Sequence, residues 1–360
     1  ILGAVTILES LGVDALGVNC SLGPKELIPI VDELLQYSKT PVIVQPNAGL
    51  PKMINGNTVF DLSADEYSSV MEDFARKGVS IIGGCCGTDE RFIKSIHDKL
   101  IGFSPVSRDI KPRSIIATAT KCVDLDDGNK VMGERINKKK KKKLKEALIN
   151  NNMEYILREA VTQKEKGADI LDVNVGLPEI NEPVVIAGAV KEIQSIVDLP
   201  LQIDSSDPEA IEAALRIYNG KAVINSVNGK TEIMDTIFKI AKKYGACVVG
   251  LTLDENGIPS LAEDRFKIAE KIVNTAEKYG IPKENLLIDC LVLTASAQQK
   301  EVAETLKAIT MVREKLGVKT VLGVSNVSFG LPDRALLNRT FLTMALYAGL
   351  TTPILNPQSE

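Results

Sequence analysis

Short apolar, β-branched runs alternate with helical segments along most of the chain. The runs cover 15–20, 41–47 and 79–84, and then 130–136, 169–175, 200–204, 221–225, 246–254, 285–290, 319–326 and 352–356. They are near-continuous rather than alternating, which predicts parallel strands buried on both faces. The intervening segments carry helix signals. Asp207-Pro208 supplies an N-cap followed by proline at the first helical position, and Ile211, Ala214, Leu215 and Tyr218 then recur at helical spacing. Asn219-Gly220 is expected to close that helix. Strand–helix repetition of this kind predicts an α/β fold with a parallel sheet. Eight runs lie from residue 130 onward, and no Gly-x-Gly-x-x-Gly follows the first, so a closed (β/α)8 TIM barrel is predicted there. The last run stops almost at the chain end, leaving no room for a closing helix.

The first series has only three runs, too few to close a barrel, and is expected to be the C-terminal part of a second (β/α)8 barrel. A polar stretch over 102–114 with two prolines reads as a connection, and the stretch to Gly128 has no clear pattern. The expected division is therefore 1–103, a linker over 104–128, and a barrel over 129–360. Lys138 to Lys143 is a run of six lysines where a strand-to-helix loop should be, and reads as a solvated segment.

Composition removes several function classes. The 360 residues carry 43 Lys+Arg against 47 Asp+Glu, a net charge of −4, which argues against holding nucleic acid by bulk positive charge. No apolar run approaches the roughly 18–20 residues of a membrane span. The start, without Met or a basic region, is not a signal peptide and reads as a chain joined in mid-helix. Six cysteines are too sparse for a disulfide scaffold, so reduced thiols in the cytoplasm are expected. The single histidine, His97, lies at the edge of a helical face marked by Ile93, Ile96 and Leu100, and is expected to be structural. That nearly excludes Ser/His/Asp triads and histidine-rich metal sites.

Cys20 ends one strand-like run, and Cys85-Cys86 follow another in Gly83-Gly-Cys-Cys-Gly-Thr88. Strand ends of a (β/α)8 barrel converge on one rim, so three thiolates can meet there. Cysteines in tight turns also serve simply as small buried hydrophobes. A glycine-flanked pair together with Asn19-Cys20 favours zinc, with a fourth position open to an incoming thiol. Cys122, Cys247 and Cys290 have no partner spacing and are expected to be structural.

Gly17-Val-Asn-Cys-Ser-Leu-Gly-Pro24, Gln45-Pro-Asn-Ala-Gly-Leu-Pro51 and Gly83-Gly-Cys-Cys-Gly-Thr88 resemble the last third of the homocysteine S-methyltransferase barrel. The resemblance implies that Cys20, Cys85 and Cys86 bind Zn(2+), and that zinc binds the homocysteine thiolate.

The larger series has a carboxylate or carboxamide near almost every strand end: Glu134, Asn137, Asp172, Asn174, Asp204, Asn225, Asp254, Asp289 and Asn326. A single Asp before a helix is usually a cap, but a ring of them suits a hydrogen-bond-rich heterocycle, whose paired N–H donors a carboxylate accepts in a fork. No lysine, histidine or cysteine joins the ring, so Schiff-base, nucleophilic and metal mechanisms lack support there.

Gly133-Glu-Arg-Ile-Asn137, Leu171-Asp-Val-Asn-Val-Gly176, Gln202-Ile-Asp-Ser-Ser206, Ile224-Asn-Ser-Val-Asn228, Leu286-Leu-Ile-Asp289 and Gly323-Val-Ser-Asn-Val-Ser328 occur in the order found in one family. They resemble the pterin-binding domain of cobalamin-dependent methionine synthases and of corrinoid/folate methyltransferases. The resemblance implies that Asp204, Asn225 and Asp289 hydrogen-bond the pterin, with Asn137 beside them. It places Asn326 near N5 as the catalytic group and Arg334 at the same rim. Lysines stand where the family carries a glycine-containing loop after Asn137.

The implied reaction moves a methyl group from 5-methyltetrahydrofolate to cobalamin, and on to zinc-bound homocysteine. The corrinoid signature Asp-x-His-x-x-Gly is absent, so cobalamin is expected on another domain or on a separate corrinoid protein. Two other readings stay open. One is a methyltetrahydrofolate:corrinoid-protein methyltransferase with a vestigial N-terminal piece, and the other a non-catalytic zinc-stabilised scaffold for a corrinoid module. Dihydropteroate synthase shares the pterin-barrel logic, but its condensation-site lysine pattern is not seen on these strand ends.

Overall fold

A computed structural model describes residues 1–137, 142–150 and 152–358. The chain falls into two units, Ile1–Pro112 and Arg113–Glu360.

The first unit runs α1 (Leu2–Ser10), β1 (Leu16–Asn19), α2 (Pro24–Tyr37), β2 (Val42–Gln45), β3 (Lys52–Ile54), β4 (Asn57–Val59), α3 (Ala64–Lys77), β5 (Ile81–Ile82) and α4 (Glu90–Leu100). Its three-stranded sheet is parallel in the order β1-β2-β5, so the expected strand runs form one open sheet. Val42 and Val44 on β2 are fully buried against Val31 of α2 and Tyr67, Met71 and Phe74 of α3. The start of α3 is fixed by a capping box: Ser63 Oγ accepts from Glu66 N, and the Glu66 carboxylate accepts from Ser63 N. On α4 the buried positions are Phe92 and Ile96, while Ile93 is exposed, which corrects the face expected from sequence. His97 is exposed beside Asp98.

The antiparallel hairpin β3–β4 is unforeseen. Its turn residues Asn55 (φ 51°) and Gly56 (φ 78°) are both left-handed, the two-residue turn whose twist suits a hairpin. Arg108, in the expected linker, donates to the carbonyls of Leu35, Ser38 and Thr40, so that part of the stretch docks on the first unit.

The second unit begins with β6 (Ile115–Thr118) and β7 (Cys122–Asp124), followed by β8 (Met132–Asn137), α5 (Lys142–Ile149) and α6 (Met153–Glu165). It continues with β9 (Ile170–Asn174), α7 (Glu182–Ile196), β10 (Leu201–Asp204), α8 (Pro208–Ile217), β11 (Gly220–Lys221), β12 (Val223–Asn228) and α9 (Thr231–Tyr244). It ends with β13 (Cys247–Leu251), α10 (Ala262–Lys278), β14 (Leu286–Asp289), α11 (Gln299–Met311), β15 (Lys319–Gly323), α12 (Arg334–Tyr347) and β16 (Thr352–Leu355). The eight strands β8, β9, β10, β12, β13, β14, β15 and β16 are parallel neighbours in that order, and β16 pairs back to β8. This is the closed barrel that the sequence predicts. The lysine run begins in 138–141, which lies outside the described residues.

Strand parity separates two cores. Leu171, Val173, Ile203, Ile224, Ile288 and Leu322 pack outward against the helices. Ile170, Val223, Cys247, Val249, Leu287 and Val321 form a second cluster inside the barrel, and Ile116, Val123 and Leu125 join it. These last come from β6, β7 and the residue that follows them, so the antiparallel sheet β11-β6-β7 plugs the end of the barrel where the strands start. The stretch expected to be linker up to residue 128 is therefore largely part of the second unit.

Gly220 belongs to this plug rather than to a helix cap. The cap of α8 is Tyr218, and a Cβ on Gly220 would stand 2.2 Å from the Ala117 carbonyl oxygen across the β11–β6 pair.

Candidate functional site

In the first unit, Cys20 leaves β1, while Cys85 and Cys86 follow β5, with β2 between these strands. Cys20 N donates to Gln45 O, Cys85 N to Pro46 O, and Cys86 N to the Asn47 carboxamide oxygen. The end of β2 and the two residues after it thus template both cysteine-bearing loops. The sulfurs of Cys20 and Cys86 are 3.7 Å apart, and those of Cys85 and Cys86 4.0 Å, with all three within 4.8 Å. A tetrahedral zinc with bonds of about 2.3 Å holds its sulfurs about 3.8 Å apart. The donor set therefore fits zinc, with one position left for a further ligand.

The electrostatics agree. The Ser21 N–H and the neighbouring Cys85 and Cys86 thiols lower the Cys20 pKa. Hydrogen bonding to Cys20 and Cys85 pushes Cys86 up to about 11. Three crowded sulfurs cannot all ionise without a cation among them. Gly87, just after the pair, has φ 79°, and a Cβ there would meet the Phe60 ring at 2.4 Å. Glycine is thus needed for the loop to turn at this point.

In the second unit, strand parity places Asp172, Asn174, Gln202, Asp204, Asn225 and Asp289 on the inward side, in step with the interior residues Ile170, Val223 and Leu287. Asp204 and Asn225 are register partners on adjacent strands. Asn137 Nδ2 reaches Asp172 Oδ2 at 3.4 Å and Asp204 Oδ2 at 3.5 Å. Asn137 and Asp204 end β8 and β10, and Asn225, within β12 and level with Asp204, shares their arc of the barrel. Asp289 ends β14 further round, and its Oδ1 accepts from Leu291 N at 2.7 Å. Burial pushes Asp289 up to about 7. Burial, followed by the nearby Asp204 charge, drives Asp172 well above the ordinary carboxylate range.

Asn326 is exposed in the short helical turn Val324–Ser328 after β15, which is where the run expected over 319–326 departs from a strand. Two side chains hold that turn. Ser325 Oγ donates to Glu134, and Arg334 donates to Ser325 O and Ser328 Oγ, each at 3.0 Å. Arg334 therefore shapes the turn that carries Asn326. Asp254 falls outside the ring: it lies beyond the end of β13, in a turn where its carboxylate accepts from Asn256 N.

Sequence reasoning passed over three residues. Gln202 sits in an otherwise apolar run but points inward and donates to Asp172 Oδ1 at 2.8 Å; its flanking outward Leu201 and Ile203 are the signal. Arg265 is fully buried on α10 and donates to the carbonyls of Pro259, Cys290 and Leu291 and to Thr305, fixing the loop after Asp289. Tyr67 is fully buried under the cysteine loops. Neither of the last two has a local signal, because all their partners except Pro259 are remote in sequence. Asn174 Oδ1, in register with Asn137, is a buried acceptor without a hydrogen-bond partner among the described residues. Such an acceptor fits a donor-rich ligand.

Residues 133–356 match the family described as pterin binding enzyme, and residues 2–100 match homocysteine S-methyltransferase. The methionine synthase of Mycobacterium tuberculosis is 31% identical over 369 residues, covering 98% of this chain and 31% of that protein. That of Mycobacterium leprae is 31% identical over 374 residues, again covering 98% and 31%. The chain thus spans about a third of the length of these curated relatives. Dihydropteroate synthase from Thermus thermophilus has a TM-score of 0.52 at 18% identity, covering 68% of this chain and 95% of that one. Dihydropteroate synthase from Xanthomonas albilineans with 4-aminobenzoic acid gives 0.52 at 18%, covering 68% and 93%. At that identity the likeness concerns the barrel fold.

Proposed function

The chain belongs to the pterin-binding enzyme family, and from that premise we propose that it is a methyltransferase segment of a cobalamin-dependent methionine synthase. In this reading the second unit binds 5-methyltetrahydrofolate, and the first is the C-terminal part of a zinc-dependent homocysteine barrel. The observation that carries it is the inward, registered pair Asp204–Asn225 with Asn137 against Asp204, on a rim that Asp289 completes. Carboxylates there accept the paired N–H donors of the pterin's amino-pyrimidinone edge.

Asn326, at the exposed rim, polarises N5, whose methyl becomes transferable once N5 gains a proton. Burial of Asp289 and Asp172 keeps the site short of charge until a donor-rich ligand enters. A corrinoid carried on another domain or chain supplies the nucleophile that accepts the methyl. Zinc on Cys20, Cys85 and Cys86 supplies a Lewis acid that keeps a bound homocysteine thiol deprotonated. All six cysteines are free thiols, which supports a cytoplasmic protein. No described helix is long and apolar enough to cross a membrane.

The test is transfer of radiolabelled methyl from 5-methyltetrahydrofolate to free reduced cobalamin by the chain. Label appears on cobalamin if the proposal holds, and Asn326→Ala slows its appearance by about 10²-fold. A chain that binds the pterin but labels no cobalamin contradicts it.

A further inference from the structure

Tyr67 lies on α3, with no solvent exposure, its ring edge-to-face with Phe92 at 5.3 Å between centroids. Its hydroxyl is 3.0 Å from Pro46 O and 3.0 Å from Gly83 O. These carbonyls lie just past β2 and β5, where the sheet ladder has ended. The same Pro46 carbonyl accepts from Cys85 N at 2.8 Å, and the next residue, Asn47, accepts from Cys86 N at 3.1 Å. One buried hydroxyl therefore spans the two segments whose spacing decides where Cys85 and Cys86 stand relative to Cys20. A phenol this far from water would not be kept without partners, and both of its partners are backbone atoms of the cysteine-bearing architecture.

We propose that Tyr67 is a positioning residue of the three-cysteine centre, its single hydroxyl proton shared between the Pro46 and Gly83 carbonyls as a clamp, so that the three sulfurs converge on one metal ion. The proposal rests on the reading of Cys20, Cys85 and Cys86 as metal ligands. Tyr67 touches neither metal nor substrate, and acts through the loops. Tyr67→Phe keeps the ring and its packing on Phe92 and removes only the clamp. Outer-shell partners of metal ligands set affinity by about 10–100-fold, and loss of the clamp is expected to act in that range.

The experiment compares the wild-type chain, Tyr67→Phe and Met71→Leu. Met71 is a fully buried residue one turn further along α3 whose thioether has no N–H or O–H to donate to the Pro46 or Gly83 carbonyls, so its variant reports general loosening of the core. Zinc affinity is read by competition with a chromophoric chelator, and ligand geometry from the visible bands of the cobalt(II)-substituted protein. Tyr67→Phe is expected to bind zinc about 10–100-fold more weakly and to show altered cobalt band intensities, with Met71→Leu matching wild type in both. Wild-type affinity and spectrum in Tyr67→Phe, or an equal loss in Met71→Leu, overturns the clamp alone. A wild-type chain that takes up no zinc overturns the metal reading, and the clamp with it.

Discussion

Cys20 Sγ stands 3.7 Å from Cys86 Sγ although 66 residues of chain separate them. Closing a loop of that size costs conformational entropy, and two thiols gain little from each other's company. The parallel β1-β2-β5 sheet does the closing, since it brings two strand ends to one side and Gly87 turns the chain behind the pair. Three sulfurs gathered within 4.8 Å of one another are a donor set that could hold a thiophilic cation, which is the reading proposed above.

Dialysis against zinc followed by metal analysis should therefore give about one zinc per chain. Cys20→Ser and Cys86→Ser should each reduce this to a small fraction, while Cys247→Ser, in the interior of the other unit, should leave it unchanged. Equal zinc in all four proteins would remove the site.

Asp289 keeps its proton up to about 7 because it is buried, against about 3.9 in an unfolded chain. Between these values the folded protein holds a proton that the unfolded one has released. Stability is therefore expected to fall as pH rises from about 4 to about 7, and then to level off. Asp289→Asn should flatten that part of the profile in urea unfolding. Pterin N–H donors favour the carboxylate, so affinity for methyltetrahydrofolate should rise as pH passes through about 7, and the same variant should lose that rise.

Arg265 satisfies three carbonyls and Thr305 in a place water does not reach. Lysine cannot reproduce this fork of donors. Arg265→Lys should destabilise the second unit by about 3 kcal/mol and loosen the loop holding Leu291 in its left-handed conformation. Chemical denaturation checks the first effect, and weakened pterin binding the second. An unchanged midpoint would show that the buried contacts contribute little.

The barrel strands were legible because each is a buried apolar run with a polar residue where it meets the rim, as in Leu286 to Asp289. The sulfur cluster was legible because Gly83 to Thr88 carries its chemistry within a few residues. The plug was not, since β6 and β7 are only 4 and 3 residues long and gain their hydrophobic partners from the barrel interior. The β3–β4 hairpin carries a turn signal, Asn55-Gly56, but its flanking residues Lys52-Met-Ile54 and Asn57-Thr-Val59 are short and do not alternate cleanly. Arg334 was placed at the rim from motif order, but only its bonds to Ser325 and Ser328 reveal that it shapes the Asn326 turn.

The central claim is that the rim of the second unit holds a reduced pterin through Asp204 and Asn225. It is tested most directly by calorimetric titration of the chain with 5-methyltetrahydrofolate, alongside Asp204→Ala and Asn225→Ala. The account predicts one saturable site in the wild-type chain, weakened about 10–100-fold in each variant, as loss of a half-buried polar partner that the ligand covers, at about 1.5–3 kcal/mol, requires. Wild-type heats indistinguishable from dilution, or binding that neither substitution changes, would contradict it.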